Sequence, residues 1–305
     1  MHRIQLKERT KRWFQKRNFT LNEHLERQIA YNYRLEFLTN CTLNSKEPGI
    51  SNNKYSNNEI VVSLTTFGKR LFDVYLAIES IMQQTIKPNR IVLWLGNELE
   101  NTDFPITLKN QQNRGLEIRF CKDIMAYTKL IPSLRAFPSA AIITIDDDNL
   151  YNFDLIENLI NDHKKHPSLI LCTRMHRIKL RNKHRLEKYK NWTYRYDNHD
   201  ISPLNFPTGA GGVLYPQKCF NEEVFNEEVF TKICKYADDV WFKAMALHNN
   251  VLSKKIFTHN SHGVDHLSYQ GKQDDSLARF NITKGMNDVQ LKAVFDKYNL
   301  YEKLF

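Results

Sequence analysis

The stretch Ala140-Ala-Ile-Ile-Thr-Ile-Asp-Asp-Asp148 decides how the rest of the sequence reads. Residues 140–145 are short, continuous and rich in β-branched side chains, which predicts a buried strand. Three carboxylates follow at once, and like charges do not enter a core unpaired. They must lie at the carboxyl end of the strand, facing a crevice, where open α/β sheets bind ligands. Alternation along an extended chain sends Asp146 and Asp148 to one side and Asp147 to the other. A carboxylate pair of that kind suits Mg²⁺ or Mn²⁺, which take oxygen ligands from one or two carboxylates plus phosphate. The bland reading, acids capping the helix expected over 153–164, leaves unexplained why a triplet follows a wholly apolar strand.

Working outward, 59–65 (EIVVSLT) predicts a first strand, 71–84 a helix with Leu71, Val74, Ile78 and Ile81 on one face, and 90–95 a second strand. That is a β-α-β unit with parallel strands. Further strands are expected at 116–121 and 168–172, and helix 153–164 should turn Phe153, Ile156, Leu159 and Ile160 to the sheet. The first half therefore reads as a Rossmann-like half-sheet. Beyond 173 the pattern loosens into a basic, aromatic segment, a glycine cluster at 209–212, a helix near 239–247, strand-like 251–257 and a last helix near 287–298.

With 305 residues, 41% hydrophobic, the chain can bury a real core. Five cysteines, an odd number without CxxC spacing, argue against a disulfide framework or a zinc site and fit a reducing, cytoplasmic setting. Neither a secretory signal nor a transmembrane run is expected. The net charge of +10 calls for an anionic partner. Residues 1–17 carry seven basic side chains against one acid, with helical spacing over 21–38 and a turn-rich linker at 44–58. This basic helical extension, 1–50, reads either as a peripheral contact with an anionic membrane or as a helix packed on the main domain.

Several clusters carry possible chemistry. Thr65, Thr66 and Arg70 in the loop TTFGKR after the first strand share the crevice and suit a nucleoside or phosphate. No GxGxxG or Walker motif is present, so neither NAD nor a P-loop nucleotide fits. Lys129 could neutralise phosphate charge, although its spacing does not single it out. Gly211 and Gly212, within GAGG, allow close backbone approach to a ligand or a bare tight loop. In ADDVWF, Asp238 and Asp239 are helix N-terminal charge or include a general base, and Trp241 lines a sugar pocket or fills the core. His259, His262 and His266 lack the HExxH pattern of zinc proteases.

Taken together, VSLTTFGKRL, YTKLIPSL, TIDDDNLY, the CTRMHRI segment, PTGAGGVLYP, ADDVWFKAMAL and NDVQL resemble, in order and spacing, bacterial family-2-like glycosyltransferases of the GT-A fold that build capsule or lipopolysaccharide. The resemblance spans roughly 59–300. It implies an α/β GT-A domain over 59–305, with a nucleotide-sugar half at 59–172 and an acceptor half at 173–305. It implies Mn²⁺ or Mg²⁺ held by Asp146, Asp148 and His262, and a nucleotide-diphosphate sugar met by Thr65, Thr66, Arg70, Lys129, Asp146, Asp147, Gly211 and Gly212. It also implies a glycan or lipid-linked acceptor near Arg174, His176, Trp192 and Trp241, with Asp239 as base and Asp238 as its alternative. Two other readings compete. A haloacid-dehalogenase-type phosphatase also carries DxD at a strand end, but Asn149 and Leu150 follow here and the later motifs are unused. A non-catalytic carbohydrate or nucleic-acid binder would suit the basic 174–199 segment, yet no RRM, KH or helix-turn-helix signature accompanies it, so nucleic acid is not the expected partner.

Overall fold

The computed structural model describes residues 25–26, 28–55, 58–258, 267–268 and 285–305. At its centre is a seven-stranded sheet. Its strands are β1 (Ile60–Thr65), β2 (Arg90–Gly96), β3 (Leu116–Cys121), β4 (Ala141–Thr144), β5 (Ile170–Cys172), β6 (Val213–Tyr215) and β7 (Ser253–Lys255). They lie in the order β3-β2-β1-β4-β6-β5-β7. All neighbours run parallel except β6, which is antiparallel to both β4 and β5. This is the helix-flanked Rossmann-like mixed sheet expected from the sequence.

The strands read as continuous apolar runs because both faces are covered. On one face Val62, Leu64, Leu93, Ile143 and Leu214 pack beneath α2 (Tyr75–Met82) and α3 (Leu155–Lys165). On the other, Val61, Val92, Ile142, Cys172 and Val213 pack beneath α4 (Asp238–His248) and α5 (Met286–Tyr298). The register Val62↔Ile143 and Ser63↔Thr144 sets β4 beside β1, so the three carboxylates leave the sheet next to the loop that follows β1.

Some expectations shift. The helix expected over 71–84 begins as a 3₁₀ turn, Gly68–Phe72, before α2 proper. Phe153 does not face the sheet; it is 47% exposed, with the Arg34 guanidinium 3.7 Å above its ring. Ile156, Leu159 and Ile160 are buried as expected.

The helix before the main domain covers residues 28–44, and its end is packed on the body. Leu38 is fully buried against Leu76 and Leu150. Thr42 donates to Glu79, which also takes both carboxylate contacts from Arg114 at 2.9 Å. Arg34 donates to the Tyr151 carbonyl. The segment 44–55 is laid down on the body too, with Gly49 bonded to Arg114 and Ser51 to Pro88 through their backbones. Glu79 and Arg114 are 0% and 3% exposed at the side chain. Glu79→Ala is therefore expected to cost about 3–5 kcal/mol by leaving a buried guanidinium unpaired. Chemical denaturation of the variant checks this.

Residues 1–17, whose basic run reads as a contact with an anionic membrane or a partner protein, or as part of a packed helical extension, lie outside the described residues. Among the described residues no helix is long and apolar enough to cross a membrane.

Candidate active site

Three segments meet at the carboxyl edge of β4. The first is the carboxylate run itself. Strict alternation does not hold here, because Asp147 and Asp148 lie in a turn and both face Arg70, at 2.8 and 3.4 Å, while Asp146 faces Lys129. Asp147 is consumed by the protein, with Thr66 donating to it at 2.6 Å and Arg70 at 2.8 Å. Burial lifts the Asp147 carboxyl despite Arg70. Thr66, Arg70 and Asp147 thus clamp the loop after β1 to the carboxylate loop. Thr65 does not join them; its hydroxyl donates to the Trp94 carbonyl.

Asp148 is the most open of the three, 37% exposed at the side chain, with Arg70 3.4 Å away. Burial, then Asp146 and Asp147, push its carboxyl up to about 6. That crowding of negative charge is what a divalent cation would relieve. Asp146 and Asp148 supply the one or two carboxylates that such an ion takes beside phosphate oxygens, so the donor set fits. Among the described residues no group of three His, Cys, Asp or Glu side chains gathers for a metal. His262, with His259 and His266, lies outside the described residues.

The second segment is the loop 208–212 leading into β6. Because β6 runs against its neighbours, the loop preceding it reaches the edge where the parallel strands end. Asn149 and Tyr151 both donate to the Ala210 carbonyl, at 3.0 and 3.3 Å. The Tyr151 hydroxyl also accepts from the Asp146 amide at 2.8 Å. Tyr151 therefore ties the glycine loop to the carboxylate loop, a role no sequence spacing announces. Gly212 holds a φ of 96°, which glycine adopts without strain. A Cβ on Gly211 would stand 2.2 Å from the Thr173 hydroxyl.

The third segment is the N-terminus of α4. Its helix dipole favours acids, and Asp238 and Asp239 form the first turn. Asp239 accepts from the Gly209 amide at 3.0 Å. Between all three segments stands Lys129, 2.9 Å from Asp146 and 3.0 Å from Asp238. Burial alone would lower its ammonium, but Asp146, Asp238 and Asp239 outweigh burial and hold it well above its ordinary value. Burial and then Asp238 push the Asp239 carboxyl up to about 7, against the pull of Lys129. A carboxyl raised in this way holds its proton more readily than a free aspartate and is suited to accept one.

Gly209 sits at the focus. A Cβ there would lie 2.7 Å from Lys129 Nζ and 3.3 Å from Asp239. Gly209→Ala is expected to displace the lysine and destabilise the fold by about 1 kcal/mol or more, which a melting curve checks.

The residues expected on the acceptor side divide. Trp241 is fully buried, donates its indole N–H to the Val224 carbonyl and has no surface to offer a sugar. Trp192 and His176 are 3% and 2% exposed and pack with Tyr189 and Phe206. Burial, then Arg174, lowers His176 to about 4, so it is neutral and accepts from the Arg195 amide. These three rings build the wall rather than line the crevice. Arg174 is partly exposed, and its Nε is buried without a hydrogen-bond partner.

No protein-family profile and no curated protein matches the sequence. Among solved structures, the chain is similar to S. aureus TarS 1–349 in complex with UDP, at 14% identity and a TM-score of 0.43, covering 67% of this chain and 58% of that one. It is also similar to the mannosyltransferase PcManGT from Pyrobaculum calidifontis in complex with GDP-Man and Mn²⁺, at 13% identity and 0.32, covering 49% and 43%. A third is the inositol-1-phosphate CTP transferase from T. maritima, at 10% identity and 0.40, covering 66% and 86%. The chain spans about half the length of the first two, and the three likenesses are of broad architecture.

Proposed function

We propose that this chain is a metal-dependent glycosyltransferase of surface-glycan assembly. It moves a sugar from a nucleotide-diphosphate sugar to a hydroxyl of a glycan or lipid-linked acceptor, with inversion by direct displacement. The observation that carries this reading is the meeting, around Lys129 and Gly209, of a carboxylate loop, a glycine loop and a helix-borne acid poised near neutrality.

Asp146 and Asp148 would hold Mg²⁺ or Mn²⁺, and the ion, when bound, would offset the charge of the departing nucleotide diphosphate. The chain's own groups do the rest. Arg70 and Thr66 lock Asp147 and so fix the loop that presents its two neighbours. The Tyr151–Ala210 contact sets the distance between the two loops. Lys129 holds Asp146 and Asp238 together, at 2.9 and 3.0 Å. Asp239 takes the proton from the attacking hydroxyl as positive charge grows at the anomeric carbon.

A donor screen tests this. With UDP- or GDP-sugars at about 100 times Kd, the matching donor is expected to stabilise the fold by about 2.7 kcal/mol. That stabilisation should require Mn²⁺ or Mg²⁺ and disappear in Asp148→Asn. If no nucleotide sugar shifts the melting curve with metal, and none releases nucleotide diphosphate, the reading is wrong.

A further inference from the structure

A two-stranded hairpin, Leu180–Asn182 and Arg185–Leu186, stands beside the candidate site. Leu180 and Leu186 face each other and pack against the main core. Lys179, Arg181, Lys183, Arg185, Lys188 and Lys190 are exposed, and among the described residues none of them forms an ion pair with a carboxylate. The only acid between 179 and 190 is Glu187. Some exposed cations elsewhere find partners, as Lys109 does with Asp103 and Lys122 with Glu227, and others such as Lys164 and Lys165 do not; what sets the hairpin apart is that six lie within 179–190 beside one acid. A strip left unneutralised repels itself, and that cost calls for a partner.

The strip is rooted at the site. Tyr189, which ends it, is buried against His176, Trp192 and Phe206, and its phenol lies within the field of Asp239. Trp192 donates to the Glu187 carbonyl at 3.0 Å, pinning the return strand to that wall. Arg174 stands against the glycine loop, its carbonyl accepting from the Thr208 amide at 3.1 Å and its Cβ 2.9 Å from where a Cβ on Gly211 would lie, with its Nε unpartnered. Cations therefore run from the outer hairpin to the edge of the crevice. A membrane is a poorer fit, because no apolar side chain of the hairpin is offered to a bilayer and the strip runs into buried Tyr189 and its ring cluster rather than standing clear of the body.

We infer that the acceptor is an anionic glycan, carrying phosphate or carboxylate groups, that lies along the 179–190 strip with one acidic group seated on Arg174. The naming of that polymer as acceptor rests on the glycosyltransferase reading; the binding surface does not.

The test uses a fluorescent oligogalacturonate, a neutral dextran of equal length and vesicles of phosphatidylglycerol with phosphatidylcholine. Full-length protein is compared with R181Q/K183Q/R185Q/K188Q and with a control of equal charge loss elsewhere, K164Q/K165Q/K232Q/K235Q. The hairpin variant is expected to bind oligogalacturonate about 10-fold more weakly or worse and with a flatter salt dependence, while the control loses less than about 2-fold. R174Q alone should weaken binding several-fold. Equal losses in hairpin and control variants overturn the inference. So does equal binding of dextran, or preference of the wild-type protein for vesicles, which would make the strip a membrane contact. Donor-induced stabilisation is measured on the same samples. Donor binding without hairpin-dependent glycan binding removes this inference alone; the reverse outcome removes the glycosyltransferase reading and leaves the surface.

Discussion

An Asp239→Asn protein is expected to fold, bind donor with metal and transfer sugar about 10²–10⁴-fold more slowly, the range that a positioned general base supplies. The amide keeps an oxygen for the Gly209 N–H, so the loop geometry survives while the proton acceptor is lost. The pH dependence follows from the carboxyl standing near 7. The base is active only when ionised, so the wild-type rate should climb through pH 6–8 and level off above, and the variant's residual rate should lack that limb. Stability runs the opposite way. A carboxyl raised from its ordinary value near 4 favours the protonated native state. Its contribution is full below about pH 4 and fades as pH rises through 7. Asp239→Asn should therefore melt higher than wild type at pH 8, by roughly 2–4 °C for each 1 kcal/mol recovered. Wild-type transfer rates in the variant would remove Asp239 from the proton chemistry.

Lys129→Met is expected to destabilise the fold at the candidate site itself. The side chain is about the volume of lysine and fills its place, but Asp146 and Asp238 lose the cation they share at 2.9 and 3.0 Å. Removing one partner of a buried pair costs about 3–5 kcal/mol; here about 2–4 is expected, because Asp146 stays 27% exposed and water screens it. Adding Asp238→Asn should restore part of that loss, a coupling that a double-mutant cycle measures. An unchanged melting temperature at pH 8 would show that the lysine does not hold these acids together.

The sheet was legible where strands were long and wholly apolar. Residues 60–65, 90–96 and 141–144 declare themselves because both faces of each strand are buried. β6 was not, because three residues behind a glycine cluster carry no period, although that reversed strand delivers Gly209 to the site. The carboxylate run was legible from charge following a buried strand. Its internal division of labour was not. Asp147 looks like its neighbours until Thr66 and Arg70 are seen to consume it, contacts made across 77 to 81 residues of chain. Lys129 and Tyr151 were similarly silent, since an isolated lysine or tyrosine takes its meaning only from partners brought by the sheet. Trp192, Trp241 and His176 misled for the converse reason: aromatics near a motif look like a ligand wall, and burial is a tertiary property.

The Arg34 contact changes how this chain can be cut. Arg34 holds the Tyr151 carbonyl, and Tyr151 in turn holds the Asp146 amide. A fragment beginning at Glu59 would open the surface over Leu76 and Leu150 and release one partner of Glu79. It would also free the backbone from which Tyr151 reaches the carboxylate loop. The helix over 28–44 thus belongs to the foundation of the candidate site, and trimming it would alter the very edge that trimming was meant to isolate.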